Sequence, residues 1–430
     1  MAFLKTEISK LRKSPFAQNA GWMLVGQGTS FLLQGGYFIL LARLLGVREY
    51  GVFAGTFAFV GIVMPYSTLG SGTIFMRYVG SGAGDFATYW GNILISTMAV
   101  GATLAVLLQL LAPYLLNSAS ASIVLKVAVG NCIFSQLVAC TGQIFQTYEL
   151  LRMTAMLNLL TNLLRLIAVS ALTFVVHHAT ASRWATASLV ISLLAAIVGS
   201  FIVTWRYGRP HFSVQAFCST AIEGLGFSMG GSAQSIYNDI DKTMLSHYGL
   251  NSQNGIYTMA YRAIDIATIP ITAVDATALP RYFRESAKGL RSVSTLSIRL
   301  AKRAAFIGFV MSLCLFLGAP IIPYLVGPGF ADSVSALRWL ALIPIFRGLH
   351  QLTGSAITGM GFQRFRTVVQ FSAAGLNLGL NLWLIPAHGW LGAAWASLAT
   401  DGTLVILNGI TLRRLAAKTA RSNSESPNVE

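Results

Sequence analysis

The chain has 430 residues, of which 54% are apolar and only 10% charged, with a formal net charge of +16. A water-soluble domain carries about 25% charged residues, so a soluble enzyme or a nucleic-acid-binding domain is excluded despite the basic balance. Apolar stretches of about 20 residues, enough to cross a bilayer, recur along the whole chain.

The first runs from about Phe16 to Leu41 behind Lys5, Lys10, Arg12 and Lys13. It is too long for a signal-peptide core and ends in no small-residue cleavage pattern, so it reads as a retained helix. Further spans are expected to begin near residues 51, 87, 121, 153, 184, 222, 254, 304, 333, 367 and 390, twelve in all. Cys132, Cys140, Cys218 and Cys314 are scattered without ligand-like spacing and read as small buried hydrophobes. No loop is long enough to fold as a domain. The longest are 206–221 and 281–303, the second pairing Leu290, Val293, Leu296 and Leu300 with Arg291, Arg299 and Lys302 as an interfacial amphipathic helix or a basic connector would.

With a cytoplasmic amino terminus, 21 of the 30 basic residues fall in cytoplasmic segments, Arg364 and Arg366 among them. Only Arg43, Arg48 and Arg183 fall outside, and six lie within spans. The positive-inside rule therefore puts both termini in the cytoplasm.

Shifting the chain on itself by about 204 residues brings Leu45, Gly46, Gly51, Phe53 and Phe57 onto Tyr248, Gly249, Gly255, Tyr257 and Tyr261. It also brings Arg77-Tyr78 onto Arg281-Tyr282 and Pro65 within one residue of Pro270. Two parallel six-helix bundles are expected, 1–210 and 211–415, with a disordered cytoplasmic tail at 416–430. Such repeats are typical of transporters that rock two bundles about a central site.

The run Asn19, Gly21-Trp22, Ala42-Arg43-Leu44-Leu45-Gly46, Glu49-Tyr50-Gly51 and Leu69-Gly70 resembles the opening of the Wzx-type oligosaccharide flippases, the polysaccharide transporter family. Asp241-Lys242, Gly255-Ile256-Tyr257, Pro280 and the stretch from Ala319-Pro320 to Gly327 are similar to later parts of that family. The resemblance implies an all-α polytopic membrane protein of the MOP superfamily, to which the MATE exporters also belong. It implies a bacterial inner-membrane flippase, not an enzyme, that carries a polyprenyl-diphosphate-linked oligosaccharide to the outer leaflet for O-antigen, capsule or exopolysaccharide synthesis. Implied partners are that substrate, membrane lipids and other polysaccharide assembly proteins, with no nucleic acid. The alternative is an ion-coupled multidrug exporter on the same scaffold.

Charges within spans are costly and call for explanation. In the seventh span Ser228, Ser232, Ser235, Asp239 and Lys242 share a face, with Gln234, Asn238 and Asp241 beside it. In the eighth, Thr258, Tyr261, Asp265, Thr268, Thr272 and Asp275 form a second stripe flanked by Arg262. Two readings are open: a self-satisfied network, with Arg262 on Asp265 and Lys242 on Asp239 or Asp241, or the wall of an aqueous cavity. In the first half Gln27, Ser30, Gln34 and Tyr37 share a face, and Arg165 follows Asn158 and Asn162. Arg347 reads as an isolated cation, and the histidines, His177-His178 and His350 included, as interfacial.

For a diphosphate cargo, Arg262, Lys242, Arg165 and Arg347 are the expected anion contacts, and Gln34, Asn238 and Tyr261 the expected sugar contacts. Asp239, Asp241, Asp265 and Asp275 could exchange protons or ligate sodium. Pro65 and Pro270 are candidate hinges. No metal-site or nucleotide-binding pattern occurs, so no cofactor is expected beyond proton or sodium coupling.

Reporter fusions at Ser14, Arg209, Lys288 and Arg421 are expected to report cytoplasm, and fusions at Ser118, Ser252 and Asp332 the opposite side. One inverted pair near the middle of the chain would break the twelve-span count.

Overall fold

A computed structural model describes residues 15–175, 179–286 and 289–424, with side chains except at 15–27, 31 and 416–424. His177-His178, Lys288, residues 425–430 and the side chain of Gln27 therefore lie outside the described residues. Among those described, the secondary structure is helical with no strand. Spatial proximity divides the chain into two compact units, Met1–Ser232 and Ala233–Glu430.

The first unit opens with α1, Pro15–Val63. A straight helix of its 49 residues would be about 73 Å long, more than twice the roughly 30 Å hydrocarbon thickness. It is interrupted at Gly46, whose φ of 69° and ψ of 171° lie in a region open essentially to glycine alone. A 3₁₀ turn at Met64–Thr68, with Pro65 in its first turn, leads through left-handed Leu69 and Gly70 into α2, Ser71–Tyr78. Next comes α3, Phe86–Leu115, capped by Asp85 accepting from the Thr88 N–H at 3.0 Å. α4, Val124–Ala128, widens into a π-helix at Val129–Ser135 before α5, Gln136–Thr147. α6, Leu151–Val175, packs along α1, and α7, Ala181–Tyr207, completes the core. There Phe75, Trp90, Ile144, Phe145 and Val203 are fully buried, and Trp90 Nε1 donates to Thr204 Oγ1 at 3.0 Å.

The unit boundary falls inside α8, Val214–His247. Its first half crosses the break after α1 at close range. Gly224 lies against the Leu69 and Gly70 backbone, Ser232 Oγ donates to the Ile62 carbonyl at 2.7 Å, and Glu223 pairs with Arg77 and accepts from the Tyr78 hydroxyl at 3.2 Å.

The second unit repeats the breaks of the first. Gly249 (φ 73°) separates α8 from α9, Asn251–Ala267. Pro270 then opens α10, Ile269–Ser286, which bends 48° from α9. α11 is Leu290–Gly318, and α12, Ser333–Leu340, with its preceding turn bends 46° from α13, Ile343–Gly359. α14, Gln363–His388, and α15, Trp390–Ser424, pack together along their length. α15 continues into the stretch expected to be a tail.

Among the described residues, eight helices are long and apolar enough to cross a membrane, ten if each bent pair is one span. The expectation of twelve exceeds this count, in which α1 is taken as one span although Gly46 interrupts it and α8 is not included. Phe174, Phe201, Phe306, Leu317 and Trp383 are more than half exposed, a surface suited to lipid.

Two expectations are corrected. Residues 290–303 form no separate interfacial helix: Val293 and Leu300 sit in the second unit's core and the helix runs unbroken to Gly318. Its basic residues lie on the opposite face of the same span. Of the cysteines, Cys132 and Cys140 are buried, but Cys218 and Cys314 are exposed.

Gly224→Ala is expected to lower the melting temperature of the purified protein by several degrees, because its Cβ would strike the Leu69 carbonyl. Gly226→Ala, with open space around it, should leave the melting temperature unchanged. Equal effects would discount the close crossing.

Candidate functional site

The polar stripe of α8 and the polar positions of α9 and α13 meet inside the second unit. Lys242, 8% exposed, directs Nζ to the Asn238 carbonyl at 2.5 Å and to Asp239 Oδ1 at 2.8 Å, with Asp241 Oδ1 at 3.7 Å. Its ammonium lies 4.7 Å from the centre of the Tyr261 ring, a cation–π distance. Asp241, 1% exposed, accepts from the Lys242 N–H at 2.7 Å, from the Tyr257 hydroxyl and from Ser397 Oγ at 3.3 Å. Arg347 also lies near Tyr261, 5.9 Å from the ring centre, and 3.2 Å from Asp265 Oδ1. Arg262 reaches Asp265 Oδ2 at 3.6 Å. Three carboxylates and three cations thus share one chain of contacts around Tyr261.

Beside this network opens a cavity of about 240 Å³. α8 lines it with Gln234, Tyr237 and Asn238, and α10 with Thr272 and Asp275. α13 contributes Arg347, His350 and Gln351, α14 Arg366 and Gln370, and α15 Leu404 and Asn408. The spacing within each helix is three or four residues, so each contributes one face. Arg366 NH1 donates to Thr358 Oγ1 at 3.0 Å. Asp275 Oδ1, Gln351 Oε1 and Asn408 Oδ1 have no hydrogen-bond partner in the protein, so satisfying them falls to water or a polar solute. The lining carries two guanidiniums against one carboxylate.

Of the residues expected from sequence, Lys242, Asn238, Tyr261, Arg262, Asp239, Asp241, Asp265 and Arg347 come together here, and Asp275 faces the cavity. Both open readings of the stripes describe part of it, since the ion pairs form and a cavity adjoins them. Arg347 is not isolated, because α13 carries it to Asp265 on α9. Gln34 and Arg165 belong to the first unit, where both are half-buried and Arg165 Nε lacks a hydrogen-bond partner. Pro65 and Pro270 stand at the two helix breaks. Tyr257, Ser397, Gln351, Gln370, Asn408, His350 and Arg366 were missed as site residues. His350 is half-buried midway along α13 instead of interfacial, and Arg366 lies one turn inside α14 instead of in a loop. Polar residues three or four apart in an apolar helix, the signal that marked α8, also mark these. Among the described residues no cluster could hold a metal ion.

Removing a buried cation leaves its partners uncompensated, at a cost of about 3–5 kcal/mol. Lys242→Met is therefore expected to lower thermal stability sharply, and adding Asp239→Asn and Asp241→Asn should restore most of it. A triple variant as unstable as the single one would contradict the pairing.

Comparison with known proteins gives this architecture relatives. An uncharacterized membrane protein of Methanocaldococcus jannaschii is 24% identical over 190 residues, a match that spans 44% of each chain. A multidrug resistance MATE family transporter of the MOP superfamily, in an inward-facing conformation, superposes with a TM-score of 0.74 at 16% identity, over 93% of this chain and 96% of that one. Lipid II flippase MurJ, inward closed, gives a TM-score of 0.74 at 14% identity over 94% and 93%. At such identities the likeness establishes the fold, a multi-pass helical membrane protein. The family model described as polysaccharide biosynthesis protein matches residues 16–286, well over half of the chain. The chain therefore belongs to the polysaccharide biosynthesis protein family.

Proposed function

We propose that this protein is a flippase that moves a polyprenyl-diphosphate-linked oligosaccharide from the cytoplasmic to the outer leaflet of a bacterial inner membrane, feeding surface polysaccharide synthesis. The observation that carries this reading is the cavity in the second unit, where Arg347 and Arg366 stand among amide and hydroxyl side chains inside helices of membrane-spanning length. Arginine offers a planar fork of donors to phosphate oxygens, and Gln234, Asn238, Gln370 and Tyr237 suit sugar hydroxyls. A cationic drug would call for an acidic lining, but Asp275 is the one carboxylate there and Asp265 is already held by two arginines. In this reading Pro65 and Pro270 serve as hinges for alternating access, and Asp265 and Asp275 couple it to a proton or sodium gradient. Arg165 and Gln34 are the first unit's contacts with the cargo, and both termini are cytoplasmic.

The test is genetic and chemical. Arg347→Ala and Arg366→Ala, made singly, are expected to cut surface polysaccharide about tenfold or more, the factor carried by one lost charge-assisted hydrogen bond. Membrane abundance should stay near wild type, with lipid-linked oligosaccharide accumulating in the cytoplasmic leaflet. Undiminished polymer in both variants, or accumulation of an exported drug instead of the lipid intermediate, would turn the assignment toward the multidrug exporters.

A further inference from the structure

His350, in the wall of the second unit's cavity, meets a second ionisable side chain, Asp401, and neither has a role in the transport reading. His350 on α13 places Nε2 3.4 Å from Asp401 Oδ1 on α15, with side chains 12% and 2% exposed. The approach lacks the alignment of a hydrogen bond, and neither atom has another hydrogen-bond partner. Asn408, two turns further along α15, donates to the His350 carbonyl at 3.0 Å, which fixes the two helices at this height. Among the described residues no lysine or arginine pairs with Asp401.

An ionised carboxylate sealed from water without a cationic partner is costly. One proton shared by the pair removes that cost, either as imidazolium against carboxylate or as carboxylic acid against neutral imidazole, and its titration belongs to both residues. We propose that His350 and Asp401 form a proton-binding dyad that takes up one proton from the aqueous phase when an anionic group occupies the cavity.

The surroundings give the coupling its sign. Arg347 on the same helix and Arg366 on α14 line the same cavity as His350, and Asp275 faces it from α10. Tyr237 of α8 stands edge-on to the imidazole at 6.3 Å. α9 supplies Asp265 and Arg262, tied to Arg347, and Tyr257, which with Asp241 binds Ser397 one turn before Asp401. α11 carries only exposed basic residues and the exposed Cys314. The two guanidiniums oppose a further positive charge on the dyad. An anion between them lifts that opposition, so proton and anion each favour the other's binding. Anion affinity therefore falls by about tenfold per pH unit wherever the dyad loses its proton.

The anion arm of this inference rests on the anionic-cargo reading; the dyad does not. The experiment uses the full chain in nanodiscs with ¹⁵N-labelled histidine, His350→Gln identifying the His350 resonance. Asp401→Asn is expected to move the His350 titration midpoint by about one unit or more, and Asp401→Glu to keep it near wild type. Calorimetry with inorganic pyrophosphate, in two buffers of different ionisation enthalpy, should show uptake of a proton that Asp401→Asn abolishes. A His350 titration indifferent to Asp401→Asn overturns the dyad. A dyad that titrates as expected in a protein that binds pyrophosphate without taking up a proton overturns the anion linkage, whereas a protein that binds no pyrophosphate overturns the cargo reading and leaves the dyad standing.

Discussion

An ammonium group cannot be taken out of water unless other groups replace its hydration, and the second unit is organised around that requirement at Lys242. Two carboxylates, a helix carbonyl and the face of Tyr261 surround it. Tyr261 faces Arg347, Arg347 holds Asp265, and Asp241 draws in Tyr257 and Ser397. α8, α9, α13 and α15 are thereby tied by polar contacts in a medium where apolar side chains gain nothing by leaving lipid for one another. Each contact is strong because the surroundings are dry, and for the same reason each broken one is expensive.

The repeated breaks solve a different problem. A helix satisfies its own backbone inside hydrocarbon, so a turn must be placed where the exposed amides and carbonyls find partners. Gly46 and Gly249 mark the turns, and Pro65 and Pro270 the breaks one span later, where the backbone lacks one donor. In the first unit, α8 closes over that break with Gly224 and Ser232, and a side chain at residue 224 would hold it away.

Much of this was legible in the sequence. The all-helical, many-span fold could be read because hydropathy acts locally, and the Arg262–Asp265 pair because three residues along a helix fix proximity. The contact of Arg347 with Asp265 was not legible, since it depends on how α13 packs on α9. Arg366 was hidden by its nearness to a turn at Gly361, and the continuation of α11 by the density of basic residues on its first turns. Asp401 carried the same signal as Asp265, but the nearest charges on its helix, Arg413 and Arg414, lie about three turns away, so nothing beside it drew notice.

The π segment at Val129–Ser135 lies where Gly101 of α3 comes up against the Cys132 backbone. A π turn holds an additional residue relative to an α turn, and one residue turns a helix by about 100°. A sequence with an unbroken α-helix in this place would therefore be one residue shorter through the segment while keeping both flanking faces. Aligned with this chain without a gap, it would set every position of α5 against the wrong side of its counterpart.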